Sequence, residues 1–300
     1  MQYSSSPNAC GMVRRSRQHA IFPALLFLLL SGSWSNAQSL LPESPLSSSL
    51  AGSVIGLPNE NSFALNPSQT RADSLHSFRA ALAYTPFVGG LKDASQSAAE
   101  GVYNFSSVGL SVAGGVTDLS FSDLYSDLSV YTSLAKSFAL ANNRKASAGI
   151  RLRYESLSTT PNYPKLHFLF LDVGFTLDLT QEFTLGGAAL NLLGNKYDVV
   201  NGETEKLDRR FLIGIAYHPL EIPIKLLTSL EEDAAQTLAI AFGAEYDPVT
   251  FLALRIGTST DTGNITTGIG LMYGNFSFDA GSRFDKALGS VFSFGASGAW

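Results

Sequence analysis

Three histidines, His76, His167 and His218, lie beyond the N-terminal apolar run, and they are the side chains best able to act as general bases or metal ligands. For either chemistry they would have to converge. His76 precedes the first predicted strand, His167 sits near one rim, and His218 falls in a turn at the other end, so a shared triad or metal cluster is not expected. His167 could act only with an acid borrowed from a neighbouring loop. No Gly-x-Ser-x-Gly elbow and no phosphate-cradling glycine loop stands between a strand and a helix. The one cysteine, Cys10, lies ahead of the apolar run, which leaves nothing for a disulfide framework or a thiolate metal site. The expectation is no catalytic residue, no metal and no cofactor.

A second set of polar residues is more informative because of its spacing. Arg151, Arg153 and Glu155 alternate with Ile150, Leu152 and Tyr154. Asp172 and Asp178 alternate with Leu171, Val173, Phe175 and Leu177. Glu245 follows Phe242 and Ala244 in the same rhythm, and Arg255 sits between Leu254 and Ile256. Period two places one set on one face of a strand and the other set on the opposite face. Lys225, Asp279 and Arg283 fit the same charged face. Such residues either pair with one another or with an internal plug, or they contact a solute; Arg151, Arg153 and Arg255 would then be cationic contacts for a carboxylate.

The elements that carry these residues read as strands over about 78–87, 99–105, 108–114, 127–138, 145–157, 166–179, 183–193, 209–217, 222–230, 236–247, 250–258, 264–272, 275–282 and 289–300. Most have the length a tilted strand needs to cross a bilayer. The intervening segments alternate long and short, with 88–98, 115–126 and 194–208 among the long ones. This is the pattern of an all-β, closed up-and-down antiparallel transmembrane barrel of about fourteen strands. Glu231, Glu232 and Asp233 are expected at an exposed tip. Phe138, Phe183, Tyr217, Tyr246, Phe251, Tyr273 and Phe276 flank the short turns, as a headgroup-level girdle would. Phe292, Phe294 and Trp300 alternate with small residues and close the chain on an aromatic, resembling the C-terminal signal read by barrel-insertion machinery.

The N-terminus supplies the compartment. Arg14, Arg15 and Arg17 precede Ile21–Leu30, and Ser35-Asn36-Ala37 places small residues at a cleavage position, so 1–37 reads as a secretory signal peptide. Removing three arginines from the 20 basic residues leaves 17 − 25 = −8, which excludes a nucleic-acid partner. The chain is 45% hydrophobic and 15% charged, yet beyond the leader it has no apolar run long enough for a membrane helix. Lipid of the outer membrane is the expected surroundings of residues 78–300, with both termini periplasmic. Residues 38–77 lack strand periodicity and contain Gly and Asn-Pro breakers; they read as an N-terminal hatch inside the barrel or as a loose periplasmic tail.

The small-residue stretch Leu50–Gly56, an acidic or amide patch after it, and Asn61-Ser62-Phe63-Ala64-Leu65-Asn66-Pro67-Ser68 with its hydrophobic-Asn-Pro step just before the first strand together resemble the N-terminal region of PorV/PorQ-type proteins. These belong to the FadL-like (long-chain fatty acid transporter) barrel superfamily, whose more usual Asn-Pro-Ala is here Asn66, Pro67 and Ser68. The resemblance implies a fourteen-stranded barrel with an inward-folded N-terminus. It implies a role as a component of type IX secretion, handling secreted cargo proteins at the cell surface, or alternatively a FadL-like passage for a hydrophobic ligand.

Overall fold

The computed structural model describes residues 44–58, 65–71, 76–86, 93–122, 125–159, 165–193, 196–198, 204–206, 209–232, 238–260, 265–285 and 289–300. The expected signal peptide and residues 59–64 lie outside them. In chain order the strands are β1 Phe78–Pro86, β2 Ala94–Phe105, β3 Leu110–Phe121, β4 Tyr125–Ala139, β5 Lys145–Thr159, β6 Leu166–Asp178, β7 Phe183–Leu190, β8 Lys196–Asp198, β9 Thr204–Lys206, β10 Arg210–Tyr217, β11 Ile224–Glu232, β12 Leu238–Val249, β13 Leu252–Ser259, β14 Ile265–Tyr273, β15 Phe276–Asp285 and β16 Gly289–Ala299. Fourteen of them form one closed antiparallel barrel; β8 and β9 pair separately, as a small hairpin within the connection from β7 to β10. Closure is made by β1 against β16, in register from Arg79 opposite Ala299 to Tyr84 opposite Phe294.

The expected alternation holds around the barrel. Leu82, Val130, Leu134, Ile150, Leu152, Leu169, Phe175, Ile213, Leu254, Ile256 and Phe278 stand exposed on the outside, while their neighbours in sequence face inward. A sheet whose outer face is this apolar is stable only where something other than water covers it. The outward Lys136, awkward by sequence, lies near the end of β4, where its ammonium donates to the Val108 carbonyl as its stem runs along the apolar surface.

The aromatic girdle is present at the end of the barrel that carries the C-terminus. Trp300 exchanges backbone hydrogen bonds with Phe78, with N···O distances of 2.8 and 2.9 Å. Its ring stacks on Phe78 at 5.9 Å and meets Phe276 edge-on at 5.7 Å. Phe183 and Tyr217 stack at 4.4 Å on the same end. Turns here are tight: Asn142 and Asn143 both adopt positive φ between β4 and β5, and Gly274 at φ 58° supports the two-residue turn joining β14 to β15.

The structure corrects the reading of the upper wall. Residues 115–121 are the second half of β3 and residues 94–98 are the start of β2, so the predicted long connections 115–126 and 88–98 shrink greatly. Here the outward positions are Ser95, Ser97, Asp118 and Ser120, and the apolar signal is lost although the ladder continues. β4 and β5 have 15 residues each and β7 and β10 only 8 each, so the β2–β6 sector rises well above its neighbour. Glu231 and Glu232 also belong to a strand, β11, rather than to an exposed tip; Glu231 pairs with Arg210.

Trp300→Ala removes two ring contacts from the closing seam. Each is worth about 0.5–1.5 kcal/mol, so the variant should lose roughly 1–3 kcal/mol. The check is the urea midpoint of the folded, fast-migrating form on unheated gels; an unchanged midpoint would mean the clasp contributes nothing.

Candidate functional site

The lumen is closed by residues 44–58 and 65–71, which fold inside the barrel. Ser44 caps the short helix α1, Pro45–Ser49, by accepting from Ser47 N at 2.9 Å, and Pro45 occupies its first turn. Two 3-10 turns follow, Ser53–Gly56 and Pro67–Thr70. Leu50, Val54 and Ile55 are 0% exposed although no sequence period marked them as core. The described part of the N-terminal segment is thus a hatch rather than a loose tail.

Asn66, singled out by sequence, is the hatch's keystone, with its neighbours Pro67 and Ser68 both buried beside it. Its side-chain oxygen accepts from Ser68 N at 3.0 Å and Ser68 Oγ at 2.8 Å. Its amide donates to the Ile55 carbonyl at 3.3 Å and, across to β6, to the Phe175 carbonyl at 2.9 Å. Gln69, which sequence reasoning passed over, returns the cap by accepting from Asn66 N at 3.1 Å, and its amide donates to the carbonyls of Val54 at 2.5 Å and Leu57 at 2.8 Å. The spacing Asn66-x-x-Gln69 is a capping box, and that signal was available. What could not be read locally is that the same two amides tie one hatch turn to the other.

The wall is shaped to receive this hatch. A Cβ on Gly174 would lie 2.0 Å from Asn66 Oδ1, one on Gly149 would lie 2.5 Å from the Pro67 carbonyl carbon, and one on Gly268 would lie 2.3 Å from Ser49 Cβ. Inward Gly268 therefore sits beside the hatch, as its sequence context suggested. Between the glycines, wall hydroxyls donate into the hatch: Ser147 Oγ to the Ser68 carbonyl at 3.0 Å and Thr266 Oγ1 to the Ser49 carbonyl at 2.9 Å.

The hatch divides the inward charges into two groups. Towards the far end, Arg151 grips Asp172 at 2.8 Å, and Arg153 pairs with Glu155 at 2.6 Å while lying 4.2 Å over the Phe170 ring. Asp172 also accepts from Asn191 N at 2.9 Å. Sequence reasoning missed two neighbours, Glu100 and Tyr131. The Tyr131 ring lies across Gly115, so that its hydroxyl donates to Glu100. Towards the chain-terminal end, Lys225, Glu245, Arg255 and Asp279 form a ladder from β11 to β15. Arg255 Nε donates to Glu245 at 2.6 Å and Nη1 reaches Asp279 at 2.5 Å, its guanidinium passing over Gly270, where a Cβ would be only 2.7 Å away. Lys225 contacts Glu245 and, at 3.2 Å, Asp247. Arg71, at the hatch's end, reaches Asp178 at 3.3 Å. All five predicted lumen charges, Arg151, Arg153, Glu155, Glu245 and Arg255, thus have ion-pair partners in the structure, and Arg151 and Arg153 are far from Arg255.

Beneath the hatch lies a cavity of about 550 Å³. Pro45, Leu46, Leu57, Ala216 and Ala253 make its apolar side; Arg71, Asp178, Lys225, Glu245, Arg255 and Asp279 make the other. With these six charges paired among themselves, such a chamber accommodates an uncharged or amphipathic molecule without stranding one of them. The histidines do not meet. His76 and His218 are both at the chain-terminal end, a correction to the expected difference in height, but β1 and β10 are on opposite sides of the barrel. His167 is on the outer face near the other rim, its Nδ1 2.8 Å from the Tyr154 hydroxyl. Among the described residues no group of three His, Cys, Asp or Glu could hold a metal ion.

Comparison with protein-family models and with curated protein sequences gives no match. Solved structures do match. The monoaromatic hydrocarbon channel CymD superposes with a TM-score of 0.61 at 12% identity, covering 88% of this chain and 99% of that one. The toluene transporter TbuX of Ralstonia pickettii gives 0.58 at 12% identity, over 87% and 99%. A Pseudomonas aeruginosa FadL homologue gives 0.58 at 12%, over 88% and 100%. At these identities the likeness is one of fold: a FadL-like barrel.

Asn66→Ala should strip the Phe175 carbonyl and the Ser68 amide of their partner. At about 1–3 kcal/mol per stranded buried group, the hatch should be loosened by roughly 3 kcal/mol while the strands stay intact. Hydrogen exchange should show faster exchange confined to residues 45–70. Gly268→Val, forced against Ser49, should displace α1 and raise ion conductance across a planar bilayer above that of the parent; equal conductance would place the hatch elsewhere.

Proposed function

We propose that this chain is an outer-membrane channel of FadL type that admits small hydrophobic molecules, with its aromatic-girdled end and both termini towards the periplasm. The observation that carries the reading is the hatch: a barrel wide enough for a water-filled pore is instead closed by a packed internal segment, with a half-apolar chamber directly beneath it. A closed lumen of this kind is unsuited to bulk diffusion of ions and suited to a solute that binds and is handed on. The similar structures named as hydrocarbon and toluene channels support the same choice. Membrane placement is supported by the exposed apolar outer face and by the ring of Phe78, Phe138, Phe183, Phe276 and Trp300 at one end. The leader-like sequence of residues 1–37 agrees with export.

The type IX secretion reading rested on the motif around Asn66. That motif now has a structural explanation, capping and cross-linking the hatch, which a barrel of either function could use. No other feature favours cargo handling, so the transport reading takes precedence.

The test is uptake by cells that lack their own hydrophobic channels. Expression of this chain should raise entry of radiolabelled toluene several-fold over the empty vector. A rate equal to the vector, with the folded barrel verified in the outer-membrane fraction, would refute the reading.

A further inference from the structure

The hatch is held differently on its two sides. Against β5, β6 and β14 it is fastened by hydrogen bonds, from Ser147, from Asn66 to the Phe175 carbonyl, and from Thr266. Against β7, β10 and β11 the side-chain contacts are apolar, and the Ile55 carbonyl, which accepts from Asn66 within the hatch, passes over Gly186. Ile55 packs with Ala188, Leu190 and Leu212, and Leu50 and Val54 pack with Ala216 and Leu227. On this side the hydrogen bond from Ser229 Oγ to the Gly52 carbonyl is long, at 3.4 Å.

The strand registers stack these apolar residues into a column. Leu212 lies opposite Ala188, Gly214 opposite Gly186, and Ala216 opposite Thr184, so the column runs down the inner wall from Leu190. At its upper end the next inward pair is Arg210 with Glu231, an ion pair on β10 and β11. At its lower end Ala216 and Leu57 are already in the wall of the 550 Å³ cavity. A ribbon of apolar contact therefore joins the region above the hatch to the chamber below it.

Resting on the transport reading above, we infer that apolar solutes pass the hatch along this β7–β10–β11 seam, with Ile55 as the stopper and the Arg210–Glu231 pair as the threshold. Opening there exchanges one set of apolar contacts for another, because the solute itself covers the surfaces that part. Opening on the opposite side would strand the Phe175 carbonyl and the amides and hydroxyls that serve the hatch, which a hydrocarbon cannot satisfy. The seam also sets selectivity. A solute entering it loses water and gains no hydrogen-bond partner, so uncharged molecules are admitted and ionised ones held at the threshold. The hatch need only lean away from β10 while it stays fastened to β5, β6 and β14.

The absence of cysteine beyond Cys10 makes this testable by cross-linking. A Cβ on Gly214 would lie 3.1 Å from Ile55 Cβ, a few tenths of an ångström inside the separation of a disulfide (about 3.5–4.5 Å), so a small outward shift of the hatch seats the bond. Ile55→Cys with Gly214→Cys should therefore lock the seam when oxidised. Ser68→Cys with Ser147→Cys, bridged by a short bis-methanethiosulfonate whose two methanesulfinate groups leave as the disulfides form, pins the fastened side instead. In cells expressing each variant, toluene uptake is measured before cross-linking, after it, and after reduction of the disulfide. The expected result is at least a tenfold fall on locking Ile55 to Gly214, full recovery on reduction, and less than a twofold change on pinning Ser68 to Ser147. Recovery on reduction shows that the barrel was folded throughout. Uptake unaffected by the first lock, or abolished equally by the second, overturns the seam. Should the parent chain itself give no uptake above the vector, the transport reading fails instead, so the two failures are distinguishable.

Discussion

Every peptide unit carries a donor and an acceptor that must be satisfied, and an apolar surrounding offers no water to do it. This constraint shapes the whole molecule. The outward side chains are apolar around most of the circumference, so the backbone behind them must be paired on both edges. The pairing of β1 with β16 achieves this by removing the edge altogether. Closing fourteen strands leaves an interior too wide for wall side chains to fill. The hatch is the consequence: a segment with no ladder of its own, whose backbone groups are met by Asn66, Gln69, Ser147 and Thr266.

The same accounting explains the placement of charge and of small residues. Inward ions cannot be left alone, and each charged residue of the lower ladder reaches across at least one strand to its partner. Where a long side chain or a hatch carbonyl must pass close to the wall, the wall supplies glycine: Gly270 under Arg255, Gly115 under Tyr131, Gly186 under the Ile55 carbonyl. The inner surface is thus patterned residue by residue, polar where the hatch is fastened and aliphatic along β7 and β10. An apolar passage and a rigidly held plug can coexist because they occupy different sectors of the wall.

Much of the barrel was legible because a strand with one face in an apolar medium writes its period directly into the sequence. β5, β6, β12 and β13 showed it most clearly, and the girdle from Phe138 to Trp300 followed from them. Legibility failed where that medium ends. The upper halves of β2 and β3 turn Ser95, Ser97, Asp118 and Ser120 outward, so in the sequence these halves read as loops although 99–105 and 108–114 read as strands. Within the site, parity revealed that Arg153, Glu245 and Arg255 face inward but not whom they meet. Arg255 finds Asp279 two strands away, a relation set by barrel register. The likeness to PorV/PorQ-type proteins anticipated the inward-folded N-terminus correctly. It could not decide function, because the residues that carried it are the ones that hold the hatch together.

All of this depends on the outer face of the strands meeting lipid. Spin labels placed one at a time along β13 in a reconstituted bilayer measure that directly, through collision rates with oxygen and with a water-soluble nickel chelate. Labels at positions 252, 254 and 256 should be open to oxygen and shielded from nickel, with positions 253, 255 and 257 shielded from oxygen, in strict alternation. Equal exposure of Leu254 and Ile256 positions to the aqueous nickel reagent would contradict the account at its root.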